Sequence, residues 1–300
     1  MKTYLIRVAM LVEGWIDRLR RGERGPPTFE PYRGDATPKH LVIRGRGMAR
    51  KQRLPPERGH SRWTNARRMV SLFLTGEVPG VRVEVAERGI GAVSDEEGYV
   101  TVTTPRRDGD TPGWLRLSAQ IAGHFGTEVR APVLVPAACA QWGVISDIDD
   151  TVIETGAYSL VRNLWTTFTG NSLTRHVFPD AVALLERLSR NGRNPVFYVS
   201  SSPWNLFAFL EGIFTRAGVV PGPMFLRDFG IGQQQFITGT HANHKGGAID
   251  TILRANPELK FILVGDTGQH DAKVYGRAIQ RHPGRILAVC LRQAGPSIDA

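Results

Sequence analysis

Val144-Ile145-Ser146-Asp147-Ile148-Asp149-Asp150-Thr151 delivers three carboxylates and a threonine at the end of a short apolar, β-branched run. The run is too short for a helix and reads as a buried strand that stops in a polar turn. In open α/β sheets ligands bind just beyond the carboxyl ends of the strands, which is where these acids fall. The spacing D-x-D-x-T splays two acidic side chains in the loop leaving the strand, so that one can attack an electrophile while the other moves a proton. Taken alone, the pattern equally describes a solvated acidic turn.

Downstream, from about Ala140, strand-like runs alternate with helical patterns, which implies a parallel sheet. A helix is expected near Tyr158 to Phe168 and another from Pro179 to Ser189, carrying Ala183, Leu184, Leu185 and Leu188. A strand from Pro195 to Val199 ends in Ser200-Ser201-Ser202-Pro203-Trp204, placing hydroxyls at a second strand end. A helix from Asn205 to Arg216 leads to a strand from Pro223 to Leu226, tipped by Arg227-Asp228. Lys245 begins a helix to Leu253, and a strand from Phe261 to Val264 ends in Gly265-Asp266-Thr267-Gly268-Gln269-His270-Asp271. Arg285 to Leu291 supplies a fifth strand.

Four strand or helix ends therefore carry Asp147 with Asp149, Ser200, Lys245, and Asp266 with Asp271, in that order. Together they resemble the haloacid dehalogenase superfamily, whose four ordered motifs fit D-x-D-x-T, a strand-terminal Ser or Thr, a Lys, and G-D-x-x-x-x-D. The resemblance runs from about Gly143 to the C-terminus and implies a Rossmann-like parallel sheet with helices on both faces. An Asp at the second position of D-x-D is the choice suited to an alcohol leaving group, which needs a proton donor, and it argues against the dehalogenase and ATPase branches. By resemblance, Asp147 is the nucleophile that forms an aspartyl phosphate, and Asp149 protonates the leaving oxygen and then deprotonates water. Ser200 bonds a phosphoryl oxygen and Lys245 offsets negative charge. A hard divalent cation, Mg2+, is expected on the Asp147 carboxylate, the Asp149 backbone carbonyl and Asp266, with Asp271 nearby. Which of Ser200, Ser201 and Ser202 faces the site stays open.

A narrower resemblance rests on Ser146-Asp147-Ile148-Asp149-Asp150-Thr151-Val152, Tyr198-Val199-Ser200-Ser201-Ser202-Pro203-Trp204, His244-Lys245 and Gly265-Asp266-Thr267-Gly268-Gln269-His270-Asp271. These segments are similar to the family typified by the fungal actin-patch-associated phosphatidate phosphatase. Pro31-Tyr32-Arg33-Gly34, Val78-Pro79-Gly80-Val81 and the Asp95 to Tyr99 turn look like the β-domain that precedes the catalytic domain in bacterial members. The resemblance implies Mg2+-dependent hydrolysis of phosphatidate to diacylglycerol and phosphate. Two other functions stay open: the same chemistry on a soluble phosphomonoester, such as a nucleotide or polynucleotide end, and a basic binding protein that uses the hydrolase fold as a scaffold. Trp165, Phe168 and Phe178 fall where a cap would meet substrate, although such aromatics more often pack a core.

Upstream the signals are mostly β. Leu41-Val42-Ile43 is a short strand, Val81, Val83 and Val85 alternate with Arg82 and Glu84, and Tyr99 to Thr103 and Trp114 to Leu117 follow Ser94-Asp95-Glu96-Glu97-Gly98, a turn. A small antiparallel sandwich is expected. The pattern divides the chain into residues 1–30, an amphipathic basic helix and linker; 31–141, a β-rich domain; and 142–300, the phosphatase-like domain.

The chain carries a net charge of +10, and residues 1–70 hold 17 Lys and Arg against 6 Asp and Glu, so the rest is close to neutral at −1. That asymmetry favours anionic partners. Leu5, Val8, Leu11, Val12, Trp15, Ile16 and Leu19 recur at helical spacing ahead of Arg20, Arg21 and Arg24, a pattern suited either to peripheral contact with an anionic bilayer or to docking on the protein's own body. Arg62 to Leu74 is again helical in pattern. The run Arg44, Arg46, Arg50, Lys51 and Arg53 lacks the interleaved aromatics of a nucleic-acid platform and reads as a solvated basic face. Cys139 and Cys290 imply no disulfide framework, which fits a cytoplasmic compartment, and no run reaches membrane-span length.

Overall fold

The computed structural model describes residues 27–49, 78–154, 177–227, 241–268 and 271–293. The expected helices near the N-terminus, at Arg62 to Leu74 and at Tyr158 to Phe168, together with Trp165 and Phe168, lie outside the described residues. The protein is mixed α/β, with one mostly antiparallel sheet and one parallel sheet. No helix among the described residues is long and apolar enough to cross a membrane.

The parallel sheet has five strands, β9 (Gly143–Asp147), β10 (Val196–Pro203), β11 (Met224–Arg227), β12 (Phe261–Asp266) and β13 (Ile286–Arg292), in the order β11-β10-β9-β12-β13. The strand read first from sequence is thus the central one, and every residue of it is buried. That explains its unbroken apolar character, because a strand covered on both faces has no solvent side to alternate towards. Among the described residues four α-helices accompany the sheet: α1 (Pro179–Ser189), α2 (Phe207–Ala217), α3 (His241–Ala255) and α4 (Asp271–Arg281). Val144, Val196, Tyr198 and Val264 pack with Leu185 of α1 and with Leu210, Ile213 and Phe214 of α2. Their chain neighbours Ile145, Phe197, Val199 and Leu263 face the other way, onto Ile249, Ile252 and Leu253 of α3 and Val274, Tyr275 and Ala278 of α4. The two-residue period of the strands sorts the two sets.

The other sheet joins β1 (Pro27–Pro31), β2 (Gly34–Ala36), β3 (His40–Ala49), β4 (Arg82–Val85), β5 (Ile90–Val93), β6 (Tyr99–Pro105), β7 (Gly113–Ile121) and β8 (Val129–Val135). Its pairings are antiparallel except β2 with β8. Its eight strands form one hydrogen-bonded sheet, seven of them in the order β1-β3-β2-β8-β7-β4-β5 and β6 joined as a branch on β3. The ten-residue β3 makes the link, because it is long enough to pair with β1, β2 and β6. Leu41, Ile43, Val83, Val85, Val100, Val102, Ala131 and Val133 fill the core of this unit.

The two units meet along a polar and aromatic seam, and there a sequence expectation is overturned. Arg46 is only 2% exposed. Its Nε donates to the Glu97 carbonyl at 2.8 Å, its Nη1 donates to Asn205 Oδ1, and its guanidinium lies 4.4 Å from the Tyr99 ring centre. Arg44 pairs with Asp35 and lies over the ring of Phe225. These two arginines are therefore interface residues and not a solvated basic face, because alternation along β3 puts both on the side that meets the parallel-sheet unit. Arg50, Lys51 and Arg53 lie outside the described residues.

Candidate active site

Asp147 ends β9, and the chain turns at once. Asp150 takes a left-handed φ of 57°, which a short polar side chain tolerates, while Val152 N–H donates to the Ile148 carbonyl at 2.9 Å. This turn folds Thr151 back so that its hydroxyl donates to Asp147 Oδ2 at 3.4 Å. The D-x-D-x-T spacing thus has a local structural cause.

Lys245 reaches the same point from α3. The helix starts at His241, so Lys245 sits in its second turn and does not begin it. Its ammonium is 2.8 Å from Asp147 Oδ1 and 2.7 Å from Asp271 Oδ1. Asp271 is the first residue of α4, and its Oδ2 accepts the Asp266 backbone N–H at 3.3 Å. Gly265 allows this approach: a Cβ there would lie 2.6 Å from Asp271 Oδ2 and 2.7 Å from the Tyr275 hydroxyl. Burial raises the Asp147 carboxyl well above the ordinary range, opposed by the Lys245 charge and reinforced by Asp271 and Asp149. The two aspartates in turn hold the Lys245 ammonium firmly protonated, against its burial.

Asp149 faces a different environment. Its Oδ2 accepts from Ser200 Oγ at 2.6 Å and from Ser202 Oγ at 3.2 Å. Burial again raises its carboxyl, and these hydroxyl bonds and the Lys245 charge pull the other way. β10 runs past Ser200 as far as Pro203, so residues 200 and 202 share a face and the intervening Ser201 does not. The choice among three serines left open by the sequence therefore resolves towards two of them, and Ser202 joins the candidate residues. Strand alternation through the serine run was the available signal.

The structure brings all six sequence candidates together. Asp147, Asp266 and Asp271 are buried, and one oxygen from each lies within 4.8 Å of the others. Three oxygen donors so disposed suit a hard divalent cation. The Asp149 carboxylate is not in this group, which leaves its backbone carbonyl as the atom it has to offer. Phe178 lies beneath the guanidinium of Arg292, 4.0 Å away. His244, half-buried beside Lys245, has its imidazole pushed below the ordinary range by burial.

These features define an α/β protein with a buried acid–lysine cluster beyond the carboxyl ends of a parallel sheet. Residues 142–293 match the family model described as Phosphatidate phosphatase APP1, catalytic domain, and the chain belongs to that family. Phosphatidate phosphatase APP1 of Saccharomyces cerevisiae is 34% identical over 157 residues, which is 52% of this chain and 27% of the yeast protein. An uncharacterized protein of Schizosaccharomyces pombe is 31% identical over 150 residues, 50% of this chain and 24% of its own length. The chain thus matches about a quarter of the length of each of these curated relatives.

Proposed function

We propose that the chain is a Mg2+-dependent phosphatase of haloacid dehalogenase-like architecture that hydrolyses phosphatidate to diacylglycerol and phosphate through an aspartyl phosphate on Asp147. In this reading residues 142–300 are the catalytic unit, the β-rich unit precedes it and starts with β1 at Pro27, ahead of the expected boundary at residue 31, and the basic segment before β1 is suited to an anionic lipid surface. The observation that carries the reading is the contrast between two neighbouring carboxylates. Asp147 is ion-paired with Lys245 at 2.8 Å, as a nucleophile needs, while Asp149 stands off that ion pair and accepts hydrogen bonds from the Ser200 and Ser202 hydroxyls, with burial raising its carboxyl against them.

The Asp147 carboxylate attacks phosphorus, and the bond from phosphorus to the glyceride oxygen breaks as the Asp149 carboxyl gives that oxygen its proton. Asp149, now a carboxylate, takes a proton from water, whose oxygen attacks phosphorus, and phosphate leaves with Asp147 restored. Lys245 and the Ser200 hydroxyl stabilise charge on the transferring group. Asp147, Asp266, Asp271 and the Asp149 carbonyl would hold Mg2+. When bound, the cation screens the carboxylates from the anionic substrate and neutralises charge on the phosphoryl oxygens.

The test is phosphate release from phosphatidate in detergent micelles and from a small aryl phosphate, each with Mg2+ or with chelator. The expected outcome is turnover of the lipid that chelator abolishes. Release from the aryl ester alone would move the substrate to a soluble phosphomonoester, and release from neither would contradict the enzymatic reading.

A further inference from the structure

We propose that the β-rich unit is a working part of the catalytic site, and that Arg46 and Tyr32 are positioning residues holding the segment that follows the serine strand. The inference rests on the phosphatase reading of that site. Ser202 is followed by Pro203 and then by Trp204–Leu206, a single 3-10 turn that leads into α2. The β-rich unit grips this corner at four residues within eight. Tyr32, 3% exposed, stacks on Trp204 with ring centres 4.6 Å apart and planes 9° apart, and it also packs on Phe207 at 4.5 Å. Arg46 Nη1 and the Tyr99 hydroxyl both donate to Asn205 Oδ1, the latter at 3.3 Å. Arg33 pairs with Glu211.

Packing alone does not call for this arrangement. Burying a guanidinium against a carbonyl, a side-chain amide and an aromatic ring costs more desolvation than an apolar side chain of similar size would. What the arrangement does provide is direction, since forked donors and a stacked ring fix both the height and the rotation of the corner. Asn205 lies three residues after Ser202, whose hydroxyl is 3.2 Å from Asp149. A shift of about 1 Å in catalytic geometry costs on the order of 100-fold in rate.

The test uses the full chain with Arg46→Met, Ser202→Ala and the double variant, read in two ways. In steady-state hydrolysis, Arg46→Met is expected to lower kcat about ten-fold or more while changing KM for a soluble aryl phosphate less than two-fold, estimates that follow from a misplacement below 1 Å. Its effect should shrink in the Ser202→Ala background, because the group being positioned is gone. In hydrogen–deuterium exchange, amides 196–206 should exchange faster in Arg46→Met under conditions where the fold is intact. A purely structural role predicts a lower melting temperature, kcat unchanged at low temperature and multiplicative effects of the two substitutions, and that result would overturn the proposal. Should Arg46→Met not fold, Tyr32→Leu and Asn205→Ala carry the same readings. Should the wild type hydrolyse no ester, the functional reading fails by itself and the exchange of residues 196–206 still decides whether the β-rich unit holds them.

Discussion

Asp147→Asn is expected to abolish phosphate release, by about 10^4-fold or more as for loss of other catalytic nucleophiles, while the protein stays folded and melts no lower than wild type in chelator. The two halves of this result have one cause. Asp147 is buried with Asp149, Asp266 and Asp271, and Lys245 is the cation placed between two of these four. An amide at position 147 relieves repulsion within the cluster. Lys245 keeps its 2.7 Å contact with Asp271, so the ammonium is not left alone. Activity sites commonly hold stability in reserve in this way. Phosphate assay and thermal unfolding on the same preparation check both halves, and a variant that turns over substrate at more than a few per cent of the wild-type rate would remove Asp147 from the nucleophile's role.

Lys245→Met should move stability in the opposite direction. Methionine keeps most of the length and apolar stem but removes the ammonium that Asp147 and Asp271 share, and Lys245 is only 4% exposed. Breaking a buried ion pair by removing one partner costs about 3–5 kcal/mol, because the remaining charges are left in a poorly polarisable setting. Activity should fall along with stability, since the transferring phosphoryl group loses the Lys245 ammonium. Mg2+ should restore part of the lost stability by adding positive charge to the same carboxylates, with a gain of about 2.7 kcal/mol at a cation concentration 100-fold above its dissociation constant. Denaturant unfolding with and without Mg2+ measures these terms, and an unchanged midpoint in chelator would show that Lys245 does not compensate the cluster.

The candidate site was legible in sequence because its parts sit at the ends of regular elements, where the local pattern stops. Asp147, Ser200 and Asp266 each end an apolar run, and those runs are β9, β10 and β12. What stayed hidden depends on contacts distant in sequence. Tyr32 and Trp204 stack although 172 positions separate them, and no local period encodes that pairing. Arg44 and Arg46 read as part of a basic run until strand alternation places both on one side of β3, facing the other unit. Helix α4 carries no mark in the sequence reading. Its buried apolar positions, Val274, Tyr275 and Ala278, do fall at helical spacing, but its first residue, Asp271, belongs to the acidic motif, which drew the segment into the strand-end loop. The continuity of the eight-stranded sheet was hidden because it depends on the pairing of β2 with β8, about a hundred residues apart.

The central claim is that Asp147 becomes phosphorylated during turnover, and the most direct measurement is to trap that intermediate. Wild-type protein is mixed with 32P-labelled substrate and Mg2+, quenched in acid within the first turnover, digested and mapped by mass spectrometry. The account predicts label on the peptide containing Asp147, released by hydroxylamine as an acyl phosphate must be, and none on Asp147→Asn. Label on a serine or histidine instead, or turnover with no protein-bound phosphate at any quench time, would contradict it.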